Sequence, residues 1–187
     1  MTDETWRCFV AVPIGETLRV DLRTAEDGWP DVEGVRWTDP DGWHVTLAFL
    51  GSIDATSVPG VVERLVAVAE KHEGLSLRSG GLGAFPSLAR ARVAWYGIDD
   101  EQGRLARLAV DVAAALDLGA PRPYRQHVTL ARARRRPVDV RPWLESASAP
   151  EGVLAVSRLE LMRSHVGEGP TRYETLATIP LRVPVHV

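Results

Sequence analysis

Hydrophobic positions along the chain follow two rhythms, one near 3.6 and one near two. Residues 6–14 form an almost unbroken apolar run closed by Pro13 and Gly15, the pattern of a buried central strand. Residues 16–27 carry Leu18 and Leu22 at helical spacing, and Gly28 and Pro30 end that helix. Residues 35–38 read as a short strand, Asp39-Pro40-Asp41-Gly42 as a turn, and residues 44–50 as a strand stopping at Gly51. Residues 57–72 predict the clearest helix of the first half, with Val61, Leu65, Val68 and Ala69 on its apolar face and Gly74 just past its end. Residues 75–78 begin a strand that breaks at Gly80, Gly81 and Gly83, a cluster read as a bulge or turn because its spacing fits no nucleotide-binding fingerprint. A loop over 86–91 and a strand over 92–98 follow. Residues 100–118 predict a helix, with Leu105, Leu108, Val112 and Leu116 in register. Pro121-Arg122-Pro123 leads into a strand over 127–133, and residues 139–146 suit a short helix. Two last strands, 157–164 and 172–181, are joined by the hairpin signal Gly167-Glu168-Gly169-Pro170.

Within this order one stretch occurs twice: His44-Val45-Thr46-Leu47-Ala48 and His127-Val128-Thr129-Leu130-Ala131. In a strand, period two puts His44 with Thr46, and His127 with Thr129, on one face, while Val45, Leu47, Val128 and Leu130 turn into the packing. The sequence around each copy has the same order: strand, helix, histidine strand, helix, strand. This predicts an α+β fold of two pseudo-symmetric lobes within a single domain over residues 1–187. Antiparallel sheets would line a central cleft, helices would lie outside, and one His-x-Thr motif would come from each lobe.

Composition narrows the class without changing this picture. The net charge of −3 argues against a general nucleic-acid coat and leaves room for a local basic patch, for which the arginine-rich run 132–136 is the candidate. The single cysteine, Cys8, cannot form an internal disulfide and reads as a buried thiol in a reducing compartment. No stretch approaches the ~18 apolar residues of a membrane span, and the first residues lack a signal core. A cytoplasmic monomer without membrane association is expected.

Two histidines facing one substrate can serve as base and acid in one step, since imidazole titrates near neutral pH. Threonine hydroxyls stabilise charge on a substrate oxygen without titrating, and an arginine fork suits phosphate. Such a set fits hydrolysis of a cyclic phosphodiester. One imidazole takes a proton from water and the other protonates the departing sugar oxygen, while Thr46, Thr129 and an arginine hold the non-bridging oxygens. No cofactor and no metal is called for.

The doubled His-x-Thr motif resembles the two-histidine phosphoesterases, and more closely their bacterial RNA 2′,3′-cyclic phosphodiesterase branch, once named for a 2′-5′ RNA ligase activity. The likeness extends over Cys8-Phe9-Val10-Ala11-Val12-Pro13, Val35-Arg36-Trp37, the first motif through Gly51, Gly81-Leu82-Gly83-Ala84-Phe85-Pro86, Arg92-Val93-Ala94-Trp95, Tyr124 through Arg132, and Ser164 through Gly169 with Tyr173 and Leu176. Val45 and Val128 are conservative departures from the usual leucine or isoleucine. The resemblance implies a bilobal fold and conversion of RNA 2′,3′-cyclic phosphate ends to 2′-phosphate ends. It implies His44 as proton donor, His127 as proton acceptor and Arg132 as a phosphate ligand.

Other readings stand beside this one. A non-catalytic protein that binds RNA ends would keep the same pocket, and ligation is the same reaction reversed. Asp39, Asp41, His44 and His127 are the candidates for a metal site, although the two aspartates read better as turn residues. Trp37 and Tyr124 suit either base stacking or the core. Arg134, Arg135 and Arg136 suit either an RNA backbone or a solvated loop. His72 reads as a charge at a helix C-terminus, His165 as a hairpin residue within reach of the cleft, and His186 as tail.

Overall fold

Apolar alternation and helical periodicity resolve into nine strands and four helices among the described residues, which in this computed structural model are 4–119, 124–165, 167 and 171–184. In chain order these are β1 (Thr5–Pro13), α1 (Glu16–Glu26), β2 (Val35–Trp37), β3 (His44–Asp54), α2 (Val58–Ala69), β4 (Leu75–Phe85), β5 (Val93–Asp99), α3 (Arg104–Ala115), β6 (His127–Ala133), α4 (Arg141–Ser146), β7 (Val153–Val156), β8 (Arg158–His165) and β9 (Arg172–Pro180). The segment Pro121-Arg122-Pro123, the turn residues Glu168, Gly169 and Pro170, and His186 lie outside the described residues.

The fold is α+β and bilobal, as expected, but the two lobes share one sheet. Its order is β7-β4-β5-β6-β3-β1-β8-β9, with β2 also on β6, and the strand pairs are antiparallel. The lobes meet where the two histidine strands touch, through the single pair Val45 and Val128. Beyond that pair β3 and β6 separate, and β2 takes the vacated edge of β6, with Arg36 opposite Arg132. The helices pack on one face of the sheet. Leu18 and Leu22 of α1, Leu65 of α2 and Leu105 and Leu108 of α3 join Val10, Val12, Val45, Val128 and Leu130 in one core. Trp143 of α4 closes that core against Trp29 and Trp37, which places Trp37 in packing rather than in a binding surface.

Gly51, read as a strand end, lies inside β3 instead, and the glycine cluster read as a bulge or turn forms a bulge inside β4. Gly51 (φ +72°) sits in β3 where Leu50 is the extra residue against β1, and Gly81 (φ +78°) sits where β4 slips against β5. A bulge and a turn both need a left-handed backbone, so glycine marks either. The strand β7, four residues long, was not expected. It covers the outer edge of β4, with Leu154 opposite Leu77. Cys8 is buried and unpaired, and burial raises its thiol pKa.

Candidate active site

Both motifs alternate as predicted: Val45, Leu47, Val128 and Leu130 are buried in the core, and His44, Thr46, His127 and Thr129 line the opposite face. Each strand then departs from period two at the same place. Against β1, Val10 pairs with Ala48 and Ala11 with Thr46, so Leu47 is an extra residue. Against β5, Ala94 pairs with Ala131 and Trp95 with Thr129, so Leu130 is an extra residue. A bulge re-aims every side chain after it. Here Ala48 and Ala131 join the core, and the next residues, Phe49 and Arg132, turn onto the histidine face. Arg132 therefore shares that face with both histidines, as the assignment of a phosphate ligand requires.

Both rings are held in one tautomer. His44 Nδ1 lies 2.7 Å from the carbonyl of Gly42, and His127 Nδ1 lies 2.7 Å from the carbonyl of Arg125. A carbonyl only accepts, so each Nδ1 carries the hydrogen, and Nε2 is the atom that gains or loses a proton. Nε2 of His44 is 3.1 Å from Thr46 Oγ1, whereas Nε2 of His127 has no hydrogen-bond partner among the described residues.

The walls differ between lobes. His44 stands edge-on to Tyr173 (centroids 5.1 Å) and tilted over Phe9 (4.9 Å). His127 stands edge-on to Phe85 (5.0 Å), with Trp95 behind it at 6.3 Å and the Arg125 guanidinium 4.5 Å above the Trp95 ring. Burial pulls the pKa of both histidines below the usual value, and Arg132 pushes both further down. The lobes then diverge. His127 feels the positive charge of Arg125, while His44 is disfavoured as a cation by His127 and, more weakly, favoured by the carboxylate of Glu160. Glu160 is 8% exposed and lies opposite Ala11, which in turn lies opposite Thr46, so it shares the histidine face two strands away. Arg158 Nε (2.9 Å) and Thr175 Oγ1 (3.2 Å) donate to its oxygens.

The other candidates take structural places. Asp39 accepts from the amide of Asp41 as a turn cap, and Asp41 pairs with Arg19 at 3.6 Å. No group of three His, Cys, Asp or Glu side chains suited to a metal comes together among the described residues. Tyr124 packs against the core, and its hydroxyl donates to the Thr46 carbonyl at 3.0 Å, bracing one lobe on the other. His72 bonds Asp111 and His165 bonds Glu174. Arg134 Nε donates to the Val35 carbonyl, and Arg135 and Arg136 are exposed.

Four residues of this region were not singled out from sequence: Phe49, Glu160, Thr38 and Trp43. Phe49 is 70% exposed. The Thr38 hydroxyl donates to the carbonyls of Leu130 (2.8 Å) and Thr129 (2.9 Å) at the second bulge, and accepts from Trp43 Nε1 at 2.9 Å. Thr38→Val strands a buried indole N–H, so urea denaturation is expected to show a loss of about 1–3 kcal/mol. An unchanged midpoint would remove Thr38 from the account of how β6 is held.

Against known proteins, residues 22–95 match the model of a family described as LigT-like phosphoesterase. The chain is 34% identical over 137 residues to an RNA 2′,3′-cyclic phosphodiesterase of Archaeoglobus fulgidus, covering 72% of this chain and 76% of that one. It is 33% identical over 179 residues to a protein of the same name from Geobacillus stearothermophilus, covering 92% of this chain but spanning only 56% of the relative's length. The crystal structure of Escherichia coli LigT complexed with NADP+ superposes with a TM-score of 0.76 at 26% identity, over 96% of this chain and 99% of that one. A doubled His-x-Thr strand, a sheet shared by two lobes and likeness of this extent together mean that the chain belongs to the LigT-like phosphoesterase family.

Proposed function

We propose that the protein is a hydrolase that opens RNA 2′,3′-cyclic phosphate ends to 2′-phosphate ends, using two histidines and no metal. The observation that carries this reading is the pair of imidazoles with Nδ1 fixed on a carbonyl and Arg132 influencing both. The names of the relatives from Archaeoglobus fulgidus and Geobacillus stearothermophilus support the choice of substrate. In the proposed step water attacks phosphorus as its proton passes to His127 Nε2. The bond from phosphorus to the 3′ oxygen breaks, and that oxygen takes the proton from His44 Nε2. Thr46, Thr129 and Arg132 hold the non-bridging oxygens, where negative charge builds. The charges beside the rings support the division of labour. Glu160 favours an imidazolium at His44, the acid, and Arg125 disfavours one at His127, the base.

The test is turnover of an oligoribonucleotide with a 2′,3′-cyclic end in EDTA, across pH. Activity is expected to survive the chelator and to follow a bell-shaped profile. The acid limb reports protonation of His127, and the alkaline limb reports loss of the proton from His44. Since burial lowers both values, the kcat/KM profile of the free enzyme is centred to the acid side of an exposed histidine pair. A bound phosphate anion favours imidazolium, so the kcat profile shifts to higher pH. Activity lost in EDTA and restored by a divalent cation would overturn metal-free catalysis, and a 3′-phosphate product would overturn the assigned leaving group.

A further inference from the structure

Arg36 of β2 lies directly opposite Arg132 of β6. Like charges facing each other across an antiparallel pair destabilise it. The flanking residues Val35 and Trp37 pack against the core, so alternation turns Arg36 to the other face, the one that carries the histidines. The bulge at Leu130 turns Arg132 to that face, and Arg134, just past the end of β6, reaches β2 beside Arg36, its Nε donating to the Val35 carbonyl at 3.2 Å. Three arginines thus occupy adjoining positions where β3 and β6 separate, at the margin of the proposed phosphate site. None of Arg36, Arg132 and Arg134 pairs with a carboxylate among the described residues. Arg19, Arg64, Arg141 and Arg182 each do so elsewhere. Acidic residues are not scarce, for the chain has 25 of them and a net charge of −3. What sets these three apart is their placement on adjoining positions of β2 and the end of β6.

An RNA that ends in a 2′,3′-cyclic phosphate continues only in the 5′ direction, so every further phosphate of the substrate lies on that side. We propose that Arg36 and Arg134 bind the phosphodiester backbone on the 5′ side of the terminal nucleotide, which makes an oligoribonucleotide, rather than a cyclic mononucleotide, the preferred ligand. This rests on the reading of the site as a cyclic phosphodiesterase, and its test is arranged so that the two stand or fall separately.

Binding is measured with a short fluorescent oligoribonucleotide ending in a 2′-phosphate, at several salt concentrations, for the whole chain and for two double variants. Arg36→Gln with Arg134→Gln removes the proposed contacts. Arg104→Gln with Arg107→Gln removes the same charge from α3, on the helical side. Each phosphate contact to a single strand contributes about 0.7 to the slope of log affinity against log salt. The first variant is expected to bind about tenfold more weakly, with a slope lower by about 1.4. The α3 variant is expected to match the unmodified protein. Unchanged affinity and slope in the first variant, or equal losses in the second, would overturn the proposal. Hydrolysis of 2′,3′-cyclic AMP is followed alongside and is expected to be alike in all three proteins. Its absence from the unmodified protein would count against the functional reading, while the binding measurement would still decide the role of Arg36 and Arg134.

Discussion

His127→Ala is expected to lower kcat by about 10²–10⁴ and to flatten the acid limb of the pH profile while leaving the fold intact. The ring contributes little to the core, which on this strand is built from Val128, Leu130 and Ala131. Its Nε2 has no hydrogen-bond partner among the described residues, so removing it takes away the proposed proton acceptor and leaves the neighbouring side chains satisfied. His44→Ala is expected to cost a similar factor and to remove the alkaline limb instead. That contrast tests the roles themselves, because a residue that merely supports the site would not remove one limb and spare the other. Glu160→Gln gives an intermediate result: without its charge the proton on His44 is held less well, and the alkaline limb moves to lower pH. A fully active His127→Ala, with circular dichroism matching the parent, would end the two-histidine account.

Gly83→Ala is the second substitution with a large expected effect. A Cβ at this position would lie 2.3 Å from two carbons of the Trp95 six-membered ring, so the indole must move. Trp95 has little room, with Phe85 at 5.3 Å, Arg125 over its face and Gly97 also close against it. Overpacking of this kind costs about 1–3 kcal/mol. Because His127 is backed by Trp95 and Phe85, a shift near 1 Å in the imidazole would reduce kcat by about 10². Trp95→Phe removes the colliding atoms, so Gly83→Ala combined with Trp95→Phe is expected to regain part of the lost stability in urea. A Gly83→Ala protein with the parent's urea midpoint and kcat would refute this dependence of His127 on the glycine.

Much of this was legible in the sequence because it is local. Alternation in the two motifs predicted which residues face the core, and the helical apolar stripes predicted α2 and α3 to within a few residues at their ends. What could not be read depends on the partner strand. Counting by twos from His127 puts Arg132 on the core face. It lies on the histidine face only because β5 pairs with β6 around an extra Leu130. The resemblance to known phosphoesterases named Arg132, but the reason for its direction lies in that register. Gly51 shows the same limit, since the torsion that ends one strand lets another continue through a slip. Glu160 gave no local signal, because it sits two strands from His44 and comes near it only through sheet order. β7 is too short for its pattern to stand out from the surrounding loop.

The twin bulges also bear on regiochemistry. Through its fourth residue each motif has the same sequence, and the proposed substrate, a five-membered cyclic phosphate, has two ring oxygens of similar leaving ability. An environment that was truly twofold would not distinguish them. Immediately after the slip the lobes part company, one turning out the ring of Phe49 and the other the cation of Arg132. In the proposed reaction the choice of which oxygen departs would thus fall to what differs between the lobes, Phe49 against Arg132 as well as Glu160 against Arg125.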